Sequence, residues 1–488
     1  MRMTDVVGYA WPVAGVLLAL MLVIAMLSPR SPGFRRITGA IYLILTLCLV
    51  AYPWWVTIYQ LLSDGGLRSA RPSKFAFSLH RSLSEKLPGY IDARIASKVA
   101  ATLPVSQITA TESPVYGAFF YLQATERLQR QWLADPSLAR CAPAVTGARA
   151  IEASLRIMLD PDHAHWMRSY WGDDFMEQPQ CFYRMLLIGC LSSHHYLTAS
   201  REHLPLLKSV TDDLAADIDA SPKGLIDDYP GQCFPCDVAC AIAMIENAAA
   251  AVGEDRHPWA RQAFARMMEP FPDGLPSYMA IAATGQPAGA CRGSTNGFFF
   301  TYSAQLDPGR SPAWYQEYAA RYWQENAMVA GWREFSNREN RPAYYMDPDS
   351  GPVLGGLGTG ATGLGLGCAR VHGDHRRAGL LGAEMIAASV PLPGGTLLLP
   401  RLVSDREHAP YFAEQVILHQ LSLLPPQPSA SAARAPLPLL VWMILALETV
   451  LLGLLLRLCA HLISFRPNPA NGTSPLARTN NPQRPRDT

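Results

Sequence analysis

Apolar positions in the middle of this chain recur at intervals of three and four, as in Leu187, Cys190, Leu191 and His194, and no stretch alternates with period two for long. The pattern predicts helices over residues 115–133, 146–159, 181–199, 203–219, 236–252, 256–269, 311–327, 356–371 and 375–388, with few strands. The longer helix of each pair is nearly apolar on all sides, as in Ala239–Met244, which suits a helix covered on both faces.

Short polar turns punctuate these runs at Asp135-Pro136, Ser200–His203, Gly253–His257, Asp307–Arg310 and Gly373–Arg376. Counted from Asp135, Arg201, Arg256, Arg310 and Arg376, the intervals are 66, 55, 54 and 66 residues. Each interval fits one helical hairpin plus a connection, so the chain reads as an internal repeat of αα units. Five turns, with room for a sixth hairpin at the ends, predict an all-α chain with an (α/α)6 toroid. A central cavity in such a ring suits a small-molecule or glycan substrate.

Three further segments are apolar over a different length. Val6–Leu27 and Ile37–Leu62 carry no charge, and Pro436–Leu456 carries only Glu448. Each is long enough to cross about 30 Å of hydrocarbon as a helix. The first lacks a basic leader and a small-residue cleavage site, so it reads as an uncleaved span. Arg30, Arg35 and Arg36 follow it, and Arg457, Arg466, Arg478, Arg484 and Arg486 follow the third span. This bias predicts a multi-pass membrane protein with its main domain extracytoplasmic, in the periplasm; Arg68, Arg71, Lys74 and Arg81 run against it, but long domains are translocated regardless of such charges. Glu448 alone defines no proton or ion pathway.

The expected layout is two spans in 1–62, a linker and lead-in helix in 63–110, the ring in 111–424, a linker in 425–436, a span in 437–463 and a disordered basic tail in 464–488. Net charge is +1 with 17% charged residues, which gives nucleic acid nothing to bind. The partners expected are the lipid bilayer and a small substrate; oligomer formation is left open. No cofactor motif is present. Gly358-x-Gly360-x-x-Gly363 matches a dinucleotide fingerprint by spacing, but no strand is predicted before it and no βαβ unit around it. Its small residues suit close helix packing instead. His163-x-His165 with Cys233-x-x-Cys236 is only a spacing coincidence for a metal.

Chemistry concentrates in a few stretches. Asp227–Cys240 reads DDYPGQCFPCDVAC. Pro235 suits a first helical turn, and Cys233 precedes the helix, where the macrodipole is expected to lower a thiol pKa. Asp237 falls in the first turn, as a cavity acid or a cap. The trio Cys233, Cys236 and Cys240 can equally hold a disulfide. Asp347 and Asp349 precede the Gly-rich run, as cavity acids or turn formers, with Tyr345 beside them. Trp171, Asp173 and Asp174 resemble a sugar-binding loop or an ordinary solvated one. Tyr116 opens the first inner helix, and Tyr229 sits in the turn before Cys233. His194 and His195 read as one core and one surface histidine.

The Cys233-x-Pro235 helix opening, the run DSGPVLGGLGTGATGLGLGCARVHGD and the hairpin at Leu197–Arg201 resemble the linalool dehydratase/isomerase family. The resemblance implies an (α/α)6 barrel, a site in its central cavity and a thiol at Cys233. It also places the family's catalytic histidine near Leu186 and its second active-site cysteine near Ala241 or Ile242. Cys236 replaces the aspartate after the proline, with Asp237 one step on. Two functions are therefore expected. One is a lyase, isomerase or hydrolase using Cys233, Asp237, Asp347, Asp349 and Tyr116, on a substrate held by Tyr229, Trp171, Asp173, Asp174 and Tyr345. The other is a non-catalytic envelope protein binding a glycan, lipid or protein.

Overall fold

The computed structural model describes residues 32–347, 350–426 and 435–464. The predicted first span, most of the linker after residue 426 and the basic tail lie outside them. The chain is mostly helical and divides into two compact units, of which Tyr52–Glu448 is the larger.

Twelve helices of that unit position the interior. Six are α3 (Ser113–Ala134), α5 (Phe182–Thr198), α7 (Pro235–Val252), α9 (Gly293–Leu306), α11 (Thr359–Val371) and α13 (Phe412–Ser422). Between them lie α2 (Lys74–Ala96), α4 (Ala148–Leu159), α6 (Leu204–Ala220), α8 (His257–Met268), α10 (Ser311–Tyr322) and α12 (His375–Ser389). The odd-numbered helices pack in sequence, α3 on α5, α5 on α7, α7 on α9, α9 on α11 and α11 on α13, and α13 packs back on α3. Helices α4, α6, α8, α10 and α12 each pack on the odd-numbered helix before them, and α2 packs on α4 and α13.

All five polar turns seen in the sequence join an odd-numbered helix to its successor. Local chemistry explains the boundaries. Gly253 at φ +76° ends α7 in the left-handed region, and prolines occupy the first turn of α3, α6, α7, α8 and α10. Helix α7 is apolar all round because α5, α6, α8 and α9 surround it.

The odd-numbered helices run in parallel. At their N-terminal ends, the Tyr116 ring of α3 meets Phe182 of α5, Phe298 of α9 and Phe412 of α13, at 5.4, 6.2 and 6.0 Å between centroids. Further along, Gln123 of α3 donates to Ser193 of α5 at 2.8 Å, and Gln305 of α9 donates to Glu246 of α7 at 2.7 Å.

Several helix and strand predictions change. Helices α9 and α13 fall outside the predicted runs. The run predicted to reach residue 327 stops at Tyr322 and becomes β1 (Trp323–Glu325), paired antiparallel with β2 (Ala330–Trp332). An antiparallel sheet of β3 (Tyr344–Asp347), β4 (Gly351–Leu354) and β5 (Leu357–Gly358) does precede α11. It has no parallel strand and no βαβ crossover, so the dinucleotide reading still fails. The small residues pack instead: a Cβ at Gly365 would overlap Trp332, and one at Gly367 would overlap Gln420.

Helix α1 (Gly33–Ser63) and helix α14 (Leu439–Ser464) are long and apolar enough to cross a membrane. By length and composition α7 qualifies too, but it is enclosed by other helices. Within the smaller unit, Gly39, Thr46 and Val50 face Leu462, Cys459 and Leu455 in antiparallel order. Ile37, Ile41, Ile44, Val450 and Leu454 stay exposed on the outer faces, as lipid-facing residues would.

Candidate functional site

The first turns of α3, α5 and α7 bring two carboxyls, three thiols and two phenols together. Cys181 precedes α5, Cys233 precedes α7, and Cys236 and Asp237 lie in the first turn of α7. The Cys236 thiol points at Asp237 Oδ1 at 3.6 Å. Asp228 is fully enclosed, and its Oδ2 accepts from the Phe234 amide at 2.8 Å. Trp171 Nε1 donates to the Asp228 carbonyl at 3.2 Å, which fixes the loop from outside. Tyr229 donates to Glu112 Oε1 at 2.7 Å and packs on Trp166, Tyr170 and Phe182.

Burial dominates the electrostatics. It pushes the Asp237 carboxyl up to about 7, against a small opposing pull from the Cys236 thiol. Burial, and then the charge on Asp237, hold Asp228 well above the ordinary carboxylate range. Tyr116 and Asp237 are half-buried and keep some accessible surface. Burial first, then the Asp237 charge, raises Tyr116 as well.

The Cys233 expectation reverses. Burial, then Asp228, Asp227 and Asp237, push its thiol well up, so desolvation and carboxylate charge outweigh the helix dipole. All ten cysteines are free, so the trio in this stretch forms no disulfide.

The other predicted residues divide. Asp347 is buried and pairs with Arg292 at 2.5 Å, so it is committed to an ion pair rather than free to act as an acid. Arg292 also meets Glu334 at 2.7 Å, and Ser294 and Ser350 donate to Glu334 at 2.8 and 2.5 Å. Tyr345 lies on β3 near this network, its hydroxyl enclosed without a partner. Asp349 lies outside the described residues. Asp173 and Asp174 stay exposed on the surface. His163 is held by Asp160 at 2.6 Å, and no group of three His, Cys, Asp or Glu among the described residues is disposed to hold a metal. His194 meets Glu152 at 3.0 Å and His195 meets the Ser200 carbonyl at 2.7 Å, as expected of structural histidines.

Sequence reasoning passed over Cys181, Arg127, Tyr302 and His419, and quoted Asp228 without choosing it. A signal was present. Tyr116, Phe120, Gln123 and Arg127 are spaced four, three and four apart, as are Phe412, Gln415 and His419 at three and four. Such spacing puts Arg127 and His419 on the stripes that carry the aromatic contacts.

An open hollow of about 550 Å³ lies elsewhere, between α6 and α8, lined by Asp212, Asp219, Glu254, Arg256 and Trp259. It holds none of the enclosed thiols or carboxyls, and Arg256 pairs there with Asp212 and Glu254.

No protein-family model matches this chain, and no curated protein matches it.

Proposed function

We propose that the chain is a membrane-anchored (α/α)6 toroid enzyme of the lyase or isomerase type, acting on a small hydroxylated, alkenol-like substrate. The closed cycle of parallel odd-numbered helices supports the toroid. The lysine and arginine bias around the spans supports an extracytoplasmic, periplasmic domain. The observation that carries the chemistry is Asp237, lifted to about 7 in an interior lined by Tyr116, Phe120, Phe182, Phe298 and Phe412.

Such a carboxyl is poised to give and take a proton near neutrality. Its acid form protonates the leaving hydroxyl, the C–O bond breaks and water departs. The Asp237 carboxylate then removes a proton from the neighbouring carbon, a C=C bond forms and the acid is restored. The Cys236 thiol, 3.6 Å from Oδ1, stabilises the carboxylate between these steps. The aromatic faces suit electron-poor carbon in the transition state. A glycosidase needs two carboxyls flanking its substrate. Asp228 is fully enclosed and bonded to backbone, which favours elimination.

Turnover of a panel of short alkenols by the full-length protein in detergent tests this reading. Product mass lower by water, lost in Asp237→Asn, supports it. Absence of turnover in folded protein turns the balance to a binding role for a glycan, lipid or protein. One observation favours that second reading: fully buried Leu186 stands where the resemblance puts a catalytic histidine.

A further inference from the structure

Deeper along the odd-numbered helices, three polar side chains meet: Arg127, Tyr302 and His419. Arg127 of α3 donates through Nη2 to Gln123 Oε1 at 3.2 Å, while its Nη1 is enclosed and has no partner. The adjacent carboxylate, Glu126, is taken by Arg130 and Ser193, each at 2.7 Å. The Tyr302 hydroxyl of α9 is enclosed, with the Cys240 thiol as a polar neighbour in reach. The Gln420 amide lies 3.1 Å from His419 Nδ1, and the Nε2 of that ring is enclosed and unpartnered.

These groups share one place. Three steps along the cycle of neighbours separate α3 from α9 in either direction, so the two lie across it from each other. Arg127 nevertheless acts electrostatically on both Tyr302 and His419. Phe120 lies 6.4 Å from Phe298, one turn before Tyr302, and 4.9 Å from His419. The three side chains therefore lie near one another between the helices. Burial holds the His419 ring neutral, so the guanidinium is the cation of the cluster.

The Glu126 carboxylate attracts Arg127 but is engaged by Arg130 and Ser193, so the enclosed Nη1 is left as a charged donor without an acceptor, which is costly. Arginine's planar fork matches an oxyanion, the phenol adds a donor, and the imidazole adds another in the tautomer that carries its proton on Nε2. We propose that Arg127, Tyr302 and His419 form an oxyanion-binding site that takes the carboxylate or phosphate end of the substrate. Cys240 lies beside Tyr302 and Arg127, three residues or about 4.5 Å along α7 from Asp237. A small hydroxy acid or hydroxylated phosphate monoester spans that distance, with its hydroxyl at Asp237. This assignment of substrate rests on the acid–base reading; the binding of an oxyanion does not.

Thermal unfolding of the full-length protein in detergent, at constant ionic strength in chloride, tests it. The additives are sodium butanoate, sodium phosphate and n-butanol. Butanoate or phosphate is expected to raise Tm in a saturable way, and the stronger of the two names the oxyanion class; butanol is expected to do nothing. Arg127→Gln is expected to abolish the shift and to unfold at a higher temperature than wild type without anion. Tyr302→Phe, which retains the cation, is expected to weaken apparent affinity about three- to tenfold. No shift with either anion, or equal shifts in wild type and Arg127→Gln, overturns the proposal. Should Arg127→Gln fail to fold, unchanged affinity in Tyr302→Phe overturns it. Neutral alkenol turnover without anion binding would sink this site alone. Anion binding without any turnover would sink the enzyme reading and leave the site standing.

Discussion

Tyr229 reaches Glu112 across 117 residues of sequence, its hydroxyl 2.7 Å from the Glu112 carboxylate. Glu112 is the residue at which α3 begins, and Tyr229 sits in the turn that leads to Cys233 and Asp237. The bond thus ties the start of one odd-numbered helix to the loop that aims the acid on another. Removing the hydroxyl in Tyr229→Phe loses a charge-assisted hydrogen bond in a half-buried place. We expect a stability loss of about 1–2 kcal/mol. The ring contacts with Trp166, Tyr170 and Phe182 remain, so the fold holds. Chemical denaturation of wild type and variant measures the loss; an unchanged midpoint would show that the loop is held by its packing alone.

Asp237 links stability to pH with a definite sign. Its carboxyl titrates near 7 in the folded chain and at the ordinary 3.8 in the unfolded one. Below the lower value both states are protonated, and the group has no effect. Between them the unfolded state releases its proton while the folded state keeps it, so stability falls as pH rises, by about 1.4 kcal/mol per pH unit. Above about 7 the effect levels off. Asp237→Asn lacks this titration. The variant should gain on wild type steadily from about pH 4 to 7 in parallel denaturation curves. A pH-independent difference would mean that the carboxyl is better solvated than its surroundings imply. The same group, used as an acid, requires kcat/KM to decline as pH rises through about 7.

The Arg292 network makes a contrasting case. Here two carboxylates, Glu334 and Asp347, share one guanidinium in a buried place, with Ser294 and Ser350 completing their bonds. Arg292 also lies 4.7 Å from the Tyr278 ring, which packs on Phe234 beside α7. Arg292→Ala leaves two buried carboxylates facing each other. We expect a loss of about 3–5 kcal/mol. Asp347→Asn retains an oxygen for the Ser350 amide and should cost distinctly less. Thermal unfolding of the two variants ranks them; a smaller effect for Arg292→Ala would mean that the carboxyls take up protons and tolerate the loss.

The sequence revealed the hairpins because their turns are polar and evenly spaced. It hid α9 because Gly293-Ser294-Thr295-Asn296-Gly297 are weak helix formers followed by three phenylalanines. Packing overrides that propensity: Gly297 lies against the backbone of Gly365 on α11, where a Cβ would fit tightly. Asp237 was legible from its place in a first turn. The fate of Cys233 was not, because a helix dipole can be read locally while the charges of Asp227, Asp228 and Asp237 and the depth of burial emerge only on folding. The pairing of Asp347 was hidden for the same reason, since Arg292 is 55 residues away. Arg127 was not singled out, although its spacing from Tyr116 and Phe120 puts it on the inner stripe.

The Gly-rich helix supplies a test that separates packing from cofactor binding. In α11, Gly365 faces the Trp332 indole, and that indole stacks on Tyr318 at 4.4 Å between centroids and nearly parallel. Trp332 is fully buried and Gly331, beside it, approaches Thr362, so the ring has no room to retreat. Gly365→Ala sets a methyl group into the indole and forces α11 away from β2. We expect a loss of about 1–3 kcal/mol or more, from overpacking. At Gly363, in the same helix, a Cβ meets nothing within 4 Å. Gly363→Ala should therefore be neutral or slightly stabilising, by up to about 1 kcal/mol, through helix propensity. Paired denaturation curves for the two variants decide the matter. Equal losses at both positions would mean that open space beside Gly363 is occupied in the working protein, as a bound group would require.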